Sequence, residues 1–360
     1  MAKNFSRLPP LPALRDFIYM YNIRAKKLLS QNFLMDMNLT RKIVRKAEIA
    51  KNDFVIEVGP GPGGITRALL ETDCQRLDVI EVDQRFLPAL RLLGEISDER
   101  LHIHHGDILK MNIKDLWTKA NVSRVDWLTA PPALHIIGNL PFNIATPLII
   151  KFLREMHHRS GPWYFGRVPL TLTFQMEVAR RLIGLIDSDD CSRISIMSNF
   201  ITEPKLLFKI PGCCFVPKPK VDVGVVKFIP RKEPLIECDF DLVEKLCRHV
   251  FIYRRKYCIK TLYPKEISDE LAHELLSRCR ISPKQASFQL GVEQFADLCL
   301  VYEEQCKRLP GLFLYDYTKP DRTVESLSNL PNAIPPKYPF SISIPSCGVS
   351  LFDSGAVFHE

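Results

Sequence analysis

The sequence predicts a two-part α/β protein, a doubly wound, mostly parallel sheet followed by a smaller, all-helical domain. Three observations predict it. From Asp53 onwards, short apolar runs alternate with segments of helical periodicity. A glycine- and proline-rich turn, Gly59-Pro60-Gly61-Pro62-Gly63-Gly64, joins the first such run to the first helix, as in Rossmann-like folds. After Pro230 only helical segments remain. The 360 residues suit about two domains at roughly 100–200 residues each.

The elements follow in order. Asp53–Gly59 is a buried strand and Gly64–Thr72 a helix. Arg76–Asp83 is the second strand, with a helix from Gln84 towards Glu95, and Leu101–Asp107 is the third strand. Ala133–Gly138 is the fourth, followed by a helix over Pro147–Met156; Val168–Phe174 is the fifth, followed by the helical Glu177–Leu185. Ile194–Ile201, Lys205–Ile210 and Val223–Ile229 read as further strands, the last an antiparallel edge. Beyond Pro230, Phe240–Arg254, Ser268–Cys279, Ser282–Leu290 and Val292–Leu309 read as helices, with Ser282-Pro283 a cap followed by a first-turn proline. The expected division is therefore 1–29, 30–232, 233–318 and a tail, 319–360, whose six prolines and several serines carry no periodicity and predict an extended or disordered segment.

Composition narrows the classes of function. Mean hydropathy is −0.03, and no uninterrupted apolar run approaches the roughly 18 residues of a spanning helix, so a membrane bundle is excluded. Residues 1–50 hold ten basic side chains and three acidic ones, an excess of +7 against +8 for the whole chain. Such concentrated charge is the footprint of a nucleic-acid partner or an acidic surface. Residues 1–29 carry an apolar stripe at helical spacing, Leu14, Phe17, Ile18, Tyr21, Ala25 and Leu28, with six bases and one acid. That pattern suits a mitochondrial presequence or a basic helix retained in the folded protein, and Pro9, Pro10 and Pro12 count against the presequence at its start. Eleven cysteines, odd in number and without a CxxC, fit a reducing compartment. His102-Ile103-His104-His105 lacks a neighbouring carboxylate or thiol at ligand spacing, so no metal is expected.

The glycine turn binds a ligand in either of two readings. Gly59, Gly61 and Gly64 satisfy the dinucleotide fingerprint GxGxxG, and Glu81, at the end of the second strand, suits ribose hydroxyls. Two acids favour S-adenosylmethionine over a nicotinamide. Glu57 puts a carboxylate beside the loop, where a pyrophosphate would be repelled and a sulfonium or amino group attracted. Asp107, at the end of the third strand, is placed to accept from an adenine amino group.

Asn139-Leu140-Pro141-Phe142 follows the fourth strand and is similar to the four-residue motif, Asn, Asp or Ser, then any residue, Pro and an aromatic, of methyltransferases that act on exocyclic amines of bases. An adenine amine is a poor nucleophile because its lone pair is delocalised into the ring. Hydrogen bonds from its two hydrogens, to the Asn139 side-chain oxygen and the Leu140 carbonyl, would draw it towards tetrahedral geometry. Phe142 offers the extruded base a stacking face. Phe215, in Phe215-Val216-Pro217-Lys218-Pro219-Lys220-Val221-Asp222, is expected to cover its second face from a proline-held lid.

In these motifs the chain resembles the ribosomal RNA adenine dimethyltransferases over roughly Leu8 to Thr318. The resemblance rests on Ser30-Gln31-Asn32-Phe33-Leu34, the glycine loop, Glu81, Asp107, Asn139–Phe142, Gln175-Met176-Glu177-Val178-Ala179 and Phe215–Val221. Leu8-Pro9-Pro10-Leu11-Pro12, Ile136–Ile150 and Arg254-Arg255-Lys256-Tyr257-Cys258 look like the mitochondrial branch. It implies a Rossmann-like, S-adenosylmethionine-dependent methyltransferase domain and a helical RNA-binding domain. The reaction implied is dimethylation of the 6-amino groups of two adjacent adenines in the 3′-terminal hairpin loop of small-subunit ribosomal RNA. The resemblance places the cofactor on Asn32, Leu34, Gly59, Glu81, Asp107 and Asn139, with Glu57, Gly61 and Val82 beside them. Ser30 stands where many members have glycine, and Phe142 replaces the commoner tyrosine, keeping the stacking face and losing a hydroxyl.

The expected partners are mitochondrial small-subunit rRNA and the assembling small subunit, met in the matrix by a monomer through Arg24, Lys26, Lys27, Arg254, Arg255 and Lys256. A competing reading is a transcription factor that binds mitochondrial RNA polymerase and DNA on the same fold without chemistry. Such a descendant would be expected to lose Asn139, the glycine loop or Glu81, and all three are present.

Overall fold

The computed structural model describes residues 12–20, 31–72, 74–252, 262–316 and 323–331. Nine strands are described: β1 (Phe33–Leu34), β2 (Phe54–Val58), β3 (Arg76–Glu81), β4 (Leu101–His105), β5 (Leu134–Gly138), β6 (Leu170–Gln175), β7 (Thr202–Ile210), β8 (Phe215–Val216) and β9 (Val223–Pro230). The helices are α1 (Leu14–Met20), α2 (Met37–Ala47), α3 (Gly64–Leu70), α4 (Leu87–Glu95), α5 (Ile113–Lys119), α6 (Phe142–His157), α7 (Met176–Leu182), α8 (Arg193–Ile201), α9 (Phe240–Val250), α10 (Ser268–Arg278), α11 (Val292–Arg308) and α12 (Val324–Ser328).

Seven strands form one sheet in the order β4-β3-β2-β5-β6-β9-β7. The pairs from β4 to β6 are parallel, and β9 runs antiparallel to both of its neighbours. Its inner strands are nearly continuous apolar runs because both faces are covered. Their period of two divides the core. Val55, Val79 and Ile137 join a cluster with α2, α3 and α4 residues such as Ile43, Leu69 and Leu90. Ile56, Ile80 and Ile136 face the other way, into a cluster that continues through Phe152 and Phe200 to Phe240, Phe295 and Tyr302. The helices beyond Pro230 thus share one core with the sheet. The chain reverses its lateral direction between β2 and β5, and ligands of such sheets bind at the carboxyl ends beside that switch point.

Four local readings are corrected. Ile194–Ile201 is helical, not a strand: Ser192 and Ser195 form a capping box, and buried Ile196, Met197, Phe200 and Ile201 recur at helical spacing. Val223–Ile229 is antiparallel as expected but lies inside the sheet, with β7 as the edge. The helix expected from Pro147 begins five residues earlier, at Phe142, with Pro147 inside it. Ser282–Leu290 holds only a 3₁₀ turn at Ser287–Gln289, where the Gln289 side chain accepts from the Ala286 N–H at 3.0 Å and replaces a helical bond.

The ends of the chain also bear on the expectations. Leu14 of α1 is 3% exposed, and the Arg67 guanidinium donates to the Pro12 carbonyl at 2.5 Å, so this stretch is docked on α3. Within 319–360, α12 is helical rather than extended and buries Leu327. The nine described cysteines are free thiols. No helix among the described residues is long and apolar enough to cross a membrane.

Candidate active site

A cavity with about 1110 Å³ of empty space, part of it open to solvent, lies at the carboxyl ends of β2, β3, β4 and β5. Asn32, Leu34, Glu57, Gly59, Gly61, Glu81, Val82, Asp107 and Asn139 all line it. Every residue assigned to the cofactor from sequence therefore meets the others at one place.

The turn after β2 is shaped for close approach. Gly59 has φ +68°, a left-handed conformation that favours glycine, and its N–H donates to the Ile80 carbonyl at 2.9 Å. Gly138, which delivers the chain to Asn139, lies so near β2 that a Cβ there would stand 2.7 Å from the Val58 carbonyl oxygen. Glu81 ties the loop to the second strand: one carboxylate oxygen accepts from the Gly61 N–H at 2.9 Å and the other from the Asp83 N–H at 2.8 Å. Burial raises its pKa, against these donors. Asp107 accepts from the Leu109 N–H at 2.9 Å, which folds the segment after β4 into the cavity wall.

Glu57 is 1% exposed and accepts from the Thr66 hydroxyl at 2.7 Å. Burial, reinforced by the charge of Glu81, pushes its carboxyl up to about 8 despite that hydrogen bond. This donor set fits S-adenosylmethionine. A buried carboxyl with a raised pKa is stabilised in its charged form by a cation. At pH 7 free Glu57 is mostly protonated, and a sulfonium or ammonium beside it lowers its pKa, so binding expels a proton. Calorimetry at pH 7 in buffers of different ionisation heat should show net proton release on binding, with affinity rising above pH 6 and Glu57→Gln removing most of both. Buffer-independent heats would contradict this reading of Glu57.

Asn139 sits where β5 ends. Its Nδ2 donates to the Asn32 carbonyl at 3.2 Å and its Oδ1 accepts from the Thr173 hydroxyl at 2.8 Å. Of the rest of the turn, Pro141 lines the cavity, while Leu140 is buried and half-buried Phe142 packs against the same cluster as Phe215; neither Leu140 nor Phe142 lines the cavity in this structure.

Phe215 requires a correction. Its ring is 2% exposed, packs in the cluster beneath the sheet and does not line the cavity, while its backbone pairs opposite Leu34. The residue supports the β1 wall and offers no second stacking face in this structure. Phe215→Leu, a swap that keeps most of the buried volume, should cost under about 1.5 kcal/mol in stability and leave turnover within a few-fold. A specific fall in turnover at unchanged melting temperature would restore the stacking role. The loop after β8 does expose Lys218 and Lys220. Arg24, Lys26, Lys27, Arg254, Arg255 and Lys256 lie outside the described residues.

Some supports went unread in the sequence. Lys151 of α6 donates to the carbonyls of Ile108, Leu109 and Met111 at 2.9, 3.1 and 3.2 Å, fixing the segment after Asp107. A lone lysine ending the apolar run of Ile144–Ile150 was the available signal. Gln31 donates to Asp83 at 3.2 Å, and the Arg85 guanidinium holds that carboxyl well below the usual range. His104, from the histidine cluster, is engaged with Asp78 at 2.8 Å. The metal-capable group His157, His158 and Asp239 contributes nothing to the cavity lining.

A sheet of this topology, a glycine turn flanked by acids on successive strands and an Asn-Leu-Pro-Phe turn whose Asn139 and Pro141 line the cavity define a class: S-adenosylmethionine-dependent methyltransferases that act on the amino groups of bases. The family model for ribosomal RNA adenine dimethylase matches residues 22–304. The chain belongs to that family, and it is an rRNA adenine dimethyltransferase that uses S-adenosylmethionine. It is 59% identical over 347 residues to "Dimethyladenosine transferase 1, mitochondrial" of Caenorhabditis elegans, covering 95% of each chain. The protein of the same name from Homo sapiens is 46% identical over 314 residues, covering 86% of this chain and 90% of that one. The fold is similar to a dimethyladenosine transferase from Plasmodium falciparum, with a TM-score of 0.58 at 23% identity, covering 76% of this chain and 98% of that one.

Proposed function

We propose that this enzyme dimethylates the 6-amino groups of two adjacent adenines in the 3′-terminal hairpin loop of mitochondrial small-subunit rRNA, and that small-subunit assembly in the matrix depends on it. The observation that carries the reading is the convergence of the nine cofactor-assigned residues and the start of the Asn139–Phe142 turn on one cavity. The mitochondrial setting is supported by the names of relatives that match nearly the whole chain.

Bound S-adenosylmethionine supplies an electrophilic methyl group on a sulfonium. Glu57 and Glu81 provide the carboxylates for its cationic and ribose portions, and Asp107 an acceptor for its adenine. Asn139 Oδ1 and the Leu140 carbonyl accept the two hydrogens of the target amine, turning its lone pair towards the methyl. Phe142, half-buried where Phe215 is enclosed, is the ring that would turn onto the base. The nitrogen–carbon bond would form as the sulfur–methyl bond breaks, its electron pair staying on the departing S-adenosylhomocysteine; the nitrogen then loses one proton to water, and no general base is assigned. Arg24, Lys26, Lys27, Arg254, Arg255 and Lys256 hold RNA phosphates.

The purified protein, S-adenosylmethionine and a transcript of that hairpin test the reading. Mass spectrometry of digested RNA should show dimethyladenosine at both positions and at no other adenine. Methylation of unrelated hairpins at equal rate would contradict the substrate.

A further inference from the structure

We propose that Thr173 is a positioning residue for methyl transfer: its hydroxyl fixes which atom of the Asn139 amide is presented to the target amine. The proposal rests on the base-orienting role given to Asn139 above. It begins with β6, where the alternation of Leu170-Thr171-Leu172-Thr173-Phe174 sends the leucines and Phe174 into the helical core and the threonines to the opposite face. The parallel register pairs Gly138 with Leu172, so the next residues along, Asn139 and Thr173, stand side by side. Thr173 is 0% exposed. A hydroxyl that deep is placed by its partner, here Asn139 Oδ1 at 2.8 Å.

The polarity of the chain of hydrogen bonds is forced. A backbone carbonyl only accepts, so the Asn139 atom facing the Asn32 carbonyl is Nδ2. Oδ1 is then the atom that faces Thr173, and Thr173 must donate. An amide held at both ends cannot rotate by half a turn to expose its NH₂. That matters because the two edges do opposite things: Oδ1 accepts an amine hydrogen and draws the base towards reaction, whereas Nδ2–H would repel it. With one lone pair of Oδ1 engaged by Thr173, the second remains for the substrate. Threonine suits the task because branching at Cβ stiffens its side chain.

Thr173→Val keeps the shape and removes the hydroxyl, while Thr173→Ser keeps the hydroxyl. Single-turnover methylation of the hairpin at saturating S-adenosylmethionine should fall about 10- to 100-fold in Thr173→Val, the scale of a misplaced reacting group. Affinities for cofactor and RNA should stay within about two-fold, and Thr173→Ser should recover most of the rate. In an Asn139→Ala background Thr173→Val should cost nothing more, since the two residues act as one unit. The proposal is overturned if Thr173→Val reacts at the wild-type rate. It is also overturned if Thr173→Ser is as slow as Thr173→Val, or if the loss tracks cofactor affinity or melting temperature. The underlying reading has its own control: wild-type rates in Asn139→Ala would remove the base-orienting role. An inactive Asn139→Ala beside a normal Thr173→Val would remove only the role of Thr173.

Discussion

Asn139→Ala should lower the single-turnover rate of methylation by about 100- to 1,000-fold at saturating S-adenosylmethionine, the usual result of removing one oriented group that acts on the transition state. The structure explains why so small a truncation would cost so much. Asn139 is held between the Asn32 carbonyl and the Thr173 hydroxyl, and the turn that carries it leaves a strand pinned by the contact of Gly138 with Val58. The amide is thus organised before substrate arrives and needs no rearrangement when charge develops on the amine. RNA affinity should change little, because phosphates supply most of it. Filter binding beside rapid-quench kinetics separates the two quantities. A variant that binds RNA normally and methylates normally would remove Asn139 from the chemistry.

Glu81→Ala should weaken S-adenosylmethionine by about 10- to 100-fold, the loss expected when charged hydrogen bonds worth roughly 1.5–3 kcal/mol disappear. Glu81 has two duties here. Its carboxylate is proposed to accept from ribose hydroxyls and already anchors the N–H groups of Gly61 and Asp83, so truncation also frees the glycine turn. The two contributions can be told apart. Glu81→Gln keeps an acceptor and much of the volume, and should lie between the wild type and alanine in calorimetric affinity. Melting temperature without cofactor should fall in Glu81→Ala, and added cofactor should recover less stability than in the wild type. Unchanged affinity in both variants would exclude Glu81 as a cofactor ligand.

The nine residues around the cavity were legible because each stands next to a strand end, and the parallel sheet brings strand ends together whatever the details of the helices. Errors arose where local pattern competes with partners distant in sequence. Ile194–Ile201 is rich in β-branched residues and reads as a strand, yet the serine box at its start and its contacts with α9 make it a helix. Phe215 looked like a lid residue because prolines follow it, but pairing with β1 turns its ring inward. Thr173 and Lys151 carry no motif of their own; register with β5 and the path of α6 give them their roles. Such roles become visible only when the hydrogen-bond partners are known.

We propose that this chain methylates two neighbouring adenines of mitochondrial small-subunit rRNA through the Asn139 turn. Primer extension across the 3′-terminal hairpin tests it most directly, since dimethylated adenines block reverse transcriptase. RNA is taken from cells depleted of the protein and resupplied with either the wild type or Asn139→Ala. Stops at both adenines are expected with the wild type, and read-through after depletion and with Asn139→Ala expressed at equal level. Stops that persist after depletion, or that Asn139→Ala restores in full, would contradict it.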